Sequence, residues 1–506
     1  MKISEGRSSK ANLFQGFAIA ATLIASLLNT RAADPHVDSW FTGNSGRYAR
    51  IYTSTTNRTN GISTTTWTGQ TQPAYAGVQA IYLSSNWTYI KTTGLGGHTM
   101  GPWTNPNLPK NQGTLYRFPR TPTIPASKTL TGLGAIGFFV DGVAIFNTSD
   151  GFSYSYANAK DATPIGGIGP GDGIWNRDAW PNELVSFDNA LAHNPQNGQY
   201  HAHANPIATR YFVGDNVLFN GAPDNNSPKT YSENTNTTVF KHSPIIGWAA
   251  DGFPVYGPYA YDVAMDASTT VRRMISGYVL RDGNYGTTNL NATGRTTLPA
   301  WAALAQNRSA ILSATQYGPS TSYTSGSGPT YLAYTLGHYA EDYDYLGDHG
   351  YTQGVTNSSG VFFDLNQYNV RYCVTPEFPS GTYAYFVTIK ADGTPVYPYN
   401  IGRWYFGSPS GSTTTLSESV TTNFVGGANS ALRLNTPNVT NGVITLIWSA
   451  TEGGTYRVES TTNSTTWITN ATGIPAVLNQ GSNTNSMTTQ QFFRVARTAI
   501  ASYDTN

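Results

Sequence analysis

His201 and His203, two residues apart in the run Tyr200-His201-Ala202-His203, carry the clearest chemistry in this chain. Histidine is scarce, 8 in 506 residues, yet His193 falls in the same short stretch. Side chains at i and i+2 of an extended segment point to one face, so a strand here presents two imidazoles side by side. That is how a strand builds a metal site, and imidazole suits Cu, Zn, Fe or Ni. A four-ligand site needs donors beyond this pair.

The elements that must position these groups read mainly as strands. Gly77 to Leu83 alternates, and Asn86 to Ile90 follows after a break. Gly134 to Val140 and Val143 to Phe146 flank Asp141-Gly142, a turn dipeptide, and predict a β-hairpin. Gly166 to Gly173 is loop; it lacks the Gly-Lys-Ser/Thr ending of a phosphate-binding loop. Leu298 to Leu312 is the best helix candidate, with Thr297 as N-cap and Pro299 in the first turn. Phe187 to His193 predicts a short helix feeding the histidine strand.

Composition sets the wider frame. Charged residues are only 11% of the chain, with 33 Tyr and 52 Gly, which fits an exported β-rich protein. Lys2, Arg7 and Lys10 precede the apolar run Gly16 to Leu28, and Thr30-Arg31-Ala32 resembles a cleavage site. Residues 1–32 are therefore expected to be a signal peptide, and the protein to be secreted to an extracellular, periplasmic or cell-surface location. No later run is long enough to span a membrane. Removing the basic leader from a formal charge of +1 leaves about −2, so no basic face recommends nucleic acid. The single cysteine, Cys373, permits no intrachain disulfide and reads as a small buried hydrophobe.

Three domain-level segments are expected. A large β-rich domain covers 34–407. Ser408 to Asn423 is nearly all Ser, Thr, Gly and Pro and reads as a linker over 408–423. Residues 424–500 carry short strands at 443–448, 455–459 and 491–495, the pattern of a small β-sandwich. It resembles the fibronectin-like modules appended to exported bacterial proteins.

The large domain resembles the YHYH-domain proteins, an exported family without a settled activity. The matching pieces are Gly142 to Asn147, Gly198 to His203, His242 to Pro258, and Glu341 through Gly402. The departure is Ala202, where the family motif has its second Tyr. Both histidines remain, and on a strand Ala202 faces away from them. The resemblance makes His242 the first candidate for a further metal ligand, with His193 next. Asp251 and Asp188 are candidate ligands or acceptors for the second ring nitrogen, with Tyr200 beside them. The competing readings are histidines bonded to backbone inside a Tyr-rich core, and a histidine pair doing acid/base work without metal.

The run Glu341 to Gly350 raises calcium. Asp342, Asp344, Gly347 and Asp348 fall at positions 1, 3, 6 and 7 of an EF-hand-like loop. Position 5 is Leu346 and position 12 is Gln353, so the EF-hand pattern fails. An irregular calcium cage around Asp342, Asp344 and Asp348 stands against a solvated acidic loop. The nucleophile elbow, the His-Glu-x-x-His helix and the Cys-x-x-Cys pair are missing, and whether the protein is an enzyme is left open. The second functional expectation is a non-enzymatic extracellular binding or adhesion module, for example for glycans, built on the many aromatics.

Overall fold

The computed structural model describes residues 34–499, apart from 70–73, 105–106, 163–170, 222–229, 326–331, 427–431, 433, 436, 451–454, 476–479 and 488–490. The expected signal peptide and most of the Gly166 to Gly173 loop lie outside the described residues. The chain is mainly β, with many small sheets and short helices.

The element that carries the histidine motif is a seven-stranded mixed sheet. Its strands are β1 (Gly137–Phe139), β2 (Ala144–Ile145), β3 (His201–Ala202), β4 (Ile245–Ala249), β5 (Pro254–Tyr256), β6 (Val370–Cys373) and β7 (Thr382–Phe386), in the order β3-β2-β1-β4-β5-β7-β6. β1 and β2 form the expected hairpin, with Gly137 opposite Ile145 and Phe138 opposite Ala144. Asp141 accepts from Val143 N at 3.2 Å, and Gly142 turns the chain at φ 89°. A Cβ on Gly142 would sit 2.3 Å from Thr92 Oγ1, so a side chain is excluded by space as well as by φ. The interior strands β1, β2, β4 and β5 are buried along their whole length, which is why they read as apolar runs rather than alternating ones.

A second, five-stranded sheet joins 412–413, Thr114–Pro119, Trp87–Thr92, Val78–Leu83 and Thr421–Val425. The stretch expected to be a linker thus contributes strands to this sheet. Ser412 pairs with Arg117, Thr421 with Leu83, and Gly411 N donates to Ala250 O at 2.7 Å. Its Ser and Thr residues suit exposed edge strands, whose outward side chains need no apolar partner. Composition alone does not separate such a strand from a flexible connection.

Among the smaller sheets, two three-stranded ones lie near the C-terminus, one around Val443–Ser449 and one around Thr455–Thr461. Ile444, Leu446, Trp448, Tyr456 and Val458 form their own small core.

Two helix expectations are corrected. The 298–312 helix is confined to Ala300–Ala305, with Pro299 as N-cap; Asn307 at φ 50° ends it. Phe187 to His193 is a turn, because Asp188 accepts from Ala190 N and Leu191 adopts φ 64°. The helix in this region comes earlier, at α1 (Ala179–Glu183), capped by Asp178, which accepts from Trp180 N.

Candidate functional site

His201 lies on edge strand β3, paired in parallel with Ala144 of β2. Its backbone also exchanges two 3.1 Å hydrogen bonds with His193, one in each direction. That reciprocal antiparallel bridge places the two side chains together. His203 follows β3 and is held by the extension of β2, since its Nδ1 donates to Asn147 O at 2.6 Å. Asn400 Nδ2 donates to His203 O, and fully buried Arg210 binds Asn205 Oδ1, Asp215 and Glu233 just downstream. The backbone behind the motif is thus fixed by long-range partners on both sides.

Three Nε2 atoms converge. His193 to His201 is 3.1 Å, and His201 to His203 is 3.0 Å. Glu183, the last residue of α1, closes the ring: its Oε2 lies 3.3 Å from His193 Nε2 and 3.0 Å from His203 Nε2. Its contacts run to those two histidines and not to His201. The histidines are at most 5% exposed. Phe146 stacks on His201 at 3.8 Å, and Phe187 sets its edge against His193 at 4.8 Å. Glu183 has 23% side-chain exposure, but the Oε2 that faces the histidines is itself buried.

The tautomers follow from the Nδ1 partners. Gln199 O and Asn147 O are carbonyls and can only accept, so His201 and His203 carry hydrogen on Nδ1. Ser186 Oγ spends its own hydrogen on Glu183 O at 2.7 Å, so it accepts from His193 Nδ1 at 2.7 Å. Neutral imidazoles so pinned aim three lone pairs at one another across about 3 Å. Without a cation or a proton between them, that arrangement is repulsive.

The protonation tendencies agree. Burial, then the neighbouring His203 and His193, hold the His201 pKa well below its usual value. Burial also disfavours the charged form of His203, but the Glu183 carboxylate outweighs it and raises the pKa. Burial would raise the Glu183 pKa, yet the facing His193 and His203 hold it far below the carboxylate range. The Glu183 carboxylate thus faces His193 and His203 at the ring nitrogens a cation would take.

The structure thus brings together His193, His201 and His203, and among the described residues they are the group of His, Cys, Asp and Glu with ligand atoms close enough for one ion. It places His242 elsewhere. That ring packs on Tyr256 of β5 and on Tyr261, at 5.3 and 4.8 Å, with Nδ1 on Ser243 O, three strands along the sheet from β2. Asp251 is a turn residue, accepting from Tyr385 Oη, Gly407 N and Phe253 N. Asp188 accepts from Gly101 N, Ala190 N and Tyr200 Oη, so this pair braces the loop behind the motif and receives no imidazole N–H. Burial raises Asp188 to about 6. Glu183 and Ser186 were not expected from the sequence. The available signal was Asp178, an N-cap residue three before Pro181, which marks a one-turn helix ending ten residues before His193.

The acidic run does not form a cation cage. Asp342 is doubly bonded to Arg295 at 2.7 Å and accepts from Gly337 N. Asp344 lies 3.5 Å from Arg281 and 3.2 Å from His349. Asp348 is an exposed residue whose pKa is raised, first by partial desolvation and then by the Asp344 charge. Arginine already supplies the positive charge that calcium would bring. Cys373 is buried and its thiol is pushed up to about 12 by burial, the signature of a structural residue. Among the described residues no helix is long and apolar enough to cross a membrane.

No curated protein and no solved structure matches the chain. Residues 115–397, more than half of the chain and including β1 to β7, α1 and all four converging groups, match the family model described as YHYH protein. The chain belongs to the YHYH protein family.

Proposed function

We propose that this is an exported protein that binds a divalent transition metal through Nε2 of His193, His201 and His203, with Glu183 as an oxygen donor. One observation carries the reading: all three Nδ1 hydrogens are committed to acceptors, and three free lone pairs point at one place, with a Glu183 oxygen against two of them. Histidines with a purely structural role explain the Nδ1 bonds but not the convergent Nε2 atoms. Imidazole nitrogens with one carboxylate suit Zn, Cu, Ni or Fe. Gln199 O, Asn147 O and Ser186 supply the outer partners that orient such ligands. The apolar run at Gly16 to Leu28 supports export, and the two C-terminal three-stranded sheets suit a fibronectin-like accessory module.

The test is metal content by plasma mass spectrometry on protein made without a histidine tag, wild type beside His201→Ala/His203→Ala. Near-stoichiometric metal in wild type alone supports the reading. A wild type that stays empty after exposure to each ion sinks it.

Glycan binding, the second reading, has one observation in its favour. An open cleft of about 860 Å³ is lined by Phe240, Tyr278, Tyr285 and Phe362 together with Arg273 and Lys390. Aromatic faces beside cations suit sugars that carry acid groups. Binding of an acidic polysaccharide that survives chelator and is lost in Tyr285→Ala would support it.

A further inference from the structure

The open cleft beside Tyr285 runs along the edge of a strand. Val271 to Ser276 line it as consecutive residues. A cleft over a sheet face would meet alternate residues, so consecutive lining marks an edge. Strand Val271–Arg273 pairs on its other side with Tyr259–Tyr261. Asp262 N donates to Thr270 O and Met274 N to Pro258 O, both at 2.8 Å. Hydrogen-bonded pairs alternate in an antiparallel ladder, so Thr270, Arg272 and Met274 turn their main-chain groups toward Tyr259–Tyr261. Val271 and Arg273 turn theirs away, to the open edge. The neighbouring strand keeps the same parity: Tyr259 N and O bond Ser243 on its far side, at 3.0 and 2.7 Å.

That edge is closed at one end and open at the other. Ile275 N donates to Asp364 Oδ2 and Ile275 O accepts from Asp364 N, both at 2.9 Å. Arg273 O accepts from the Arg272 side chain at 3.0 Å. Among the described residues Val271 N, Val271 O and Arg273 N have no such partner. Residues 271–273 are half-buried. Side chains of one strand alternate, and here they mark two walls. Arg272 sits over Phe362 at 5.1 Å and is held by Asp262 and Asp364, which offset its charge. Arg273 points the other way and donates to Ile389 O at 3.1 Å, next to exposed Lys390. Among the described residues no carboxylate lines the cleft, so Arg273 and Lys390 give that wall a positive charge.

We infer that this edge takes up an extended peptide as a further strand, one in which apolar and acidic residues alternate. Free main-chain groups at strand spacing supply the pairing. A guest strand sends successive side chains to the two walls, apolar ones toward Val361 and Phe362 and acidic ones toward Arg273 and Lys390. A sugar chain is the other candidate for the same cleft. It would use the aromatic faces and the cations, but it carries no ladder of N–H and C=O groups to match the strand edge. The edge is what favours a peptide, and the pairing needs no metal.

The experiment titrates the full-length protein into a fluorescein-labelled Glu-Val-Glu-Val-Glu-Val peptide, followed by anisotropy. A Lys-Val counterpart and a main-chain N-methylated form serve as controls, and sodium alginate is the sugar probe. The expected result is saturable binding of the Glu-Val peptide with slowed hydrogen exchange at the Val271 and Arg273 amides. Affinity should fall about 10-fold or more for the Lys-Val peptide, for the N-methylated form, and in Arg273→Gln and Lys390→Gln. Lys390 is exposed, so its variant tests the charge without disturbing the fold. Failure of the Glu-Val peptide to bind, or binding that N-methylation leaves unchanged, would overturn the inference. So would alginate binding that is lost in Tyr285→Ala while the peptide stays unbound, which would leave the cleft to sugars.

Discussion

His201→Ala separates what the imidazole does for the fold from what it does for an ion. His201 is 2% exposed and stacked on Phe146, so truncation leaves a cavity in metal-free protein costing about 2–4 kcal/mol. It also removes one of four converging donors. At free metal about 1,000 times Kd, wild type gains about 4 kcal/mol from binding to the folded state. Losing an outer partner alone weakens metal sites about 10- to 100-fold, so losing a ligand should weaken this one at least about 100-fold. At the same metal concentration the gain falls to about 1.4 kcal/mol. The cycle of mutation against metal therefore has a coupling of about 2.7 kcal/mol, independent of the cavity cost. Urea unfolding followed by tryptophan fluorescence, with and without Zn(II) or Cu(II), measures all four corners. His242→Ala, remote from the site, should lower stability without changing the metal gain. An unchanged gain in His201→Ala, or one lost in His242→Ala, would refute the assignment.

Ser186→Ala removes the acceptor of His193 Nδ1 and should weaken metal binding about 10- to 100-fold in chelator competition, with Ser186→Thr retaining most of it. Arg210→Met leaves Glu233 and Asp215 buried without a counter-charge and should cost about 3–5 kcal/mol in urea unfolding. Burial raises Glu341 from 4.5 to about 7, despite hydrogen bonds from Asn176. Because the folded state holds that proton more tightly, the associated stability is full below pH 4.5 and is lost as pH rises through about 7. The size is about 3 kcal/mol, and Glu341→Gln should flatten unfolding free energy between pH 4.5 and 8 relative to wild type.

The histidine motif was legible because a strand alternates: whatever its surroundings, His201 and His203 share a face, and their Nε2 atoms meet at 3.0 Å. The β class and the Asp141-Gly142 hairpin were legible for the same local reason, since turn chemistry and apolar runs act over a few residues. Ser408 to Asn423 misled because an exposed edge strand and a linker share one composition. The choice of partners was not local. His193 and His242 are alike in sequence, but the reciprocal backbone bridge to His201 selects one, and the packing of β5 carries the other away. Glu183 joins through the end of a one-turn helix whose direction depends on its tertiary contacts, such as Tyr399 holding its Asp178 cap. Residue types and strand period determined that two imidazoles would stand together. Only long-range packing decided which third imidazole and which carboxylate would face them, because those contacts are made by backbone bridges and buried bonds between segments with no local relation in the chain.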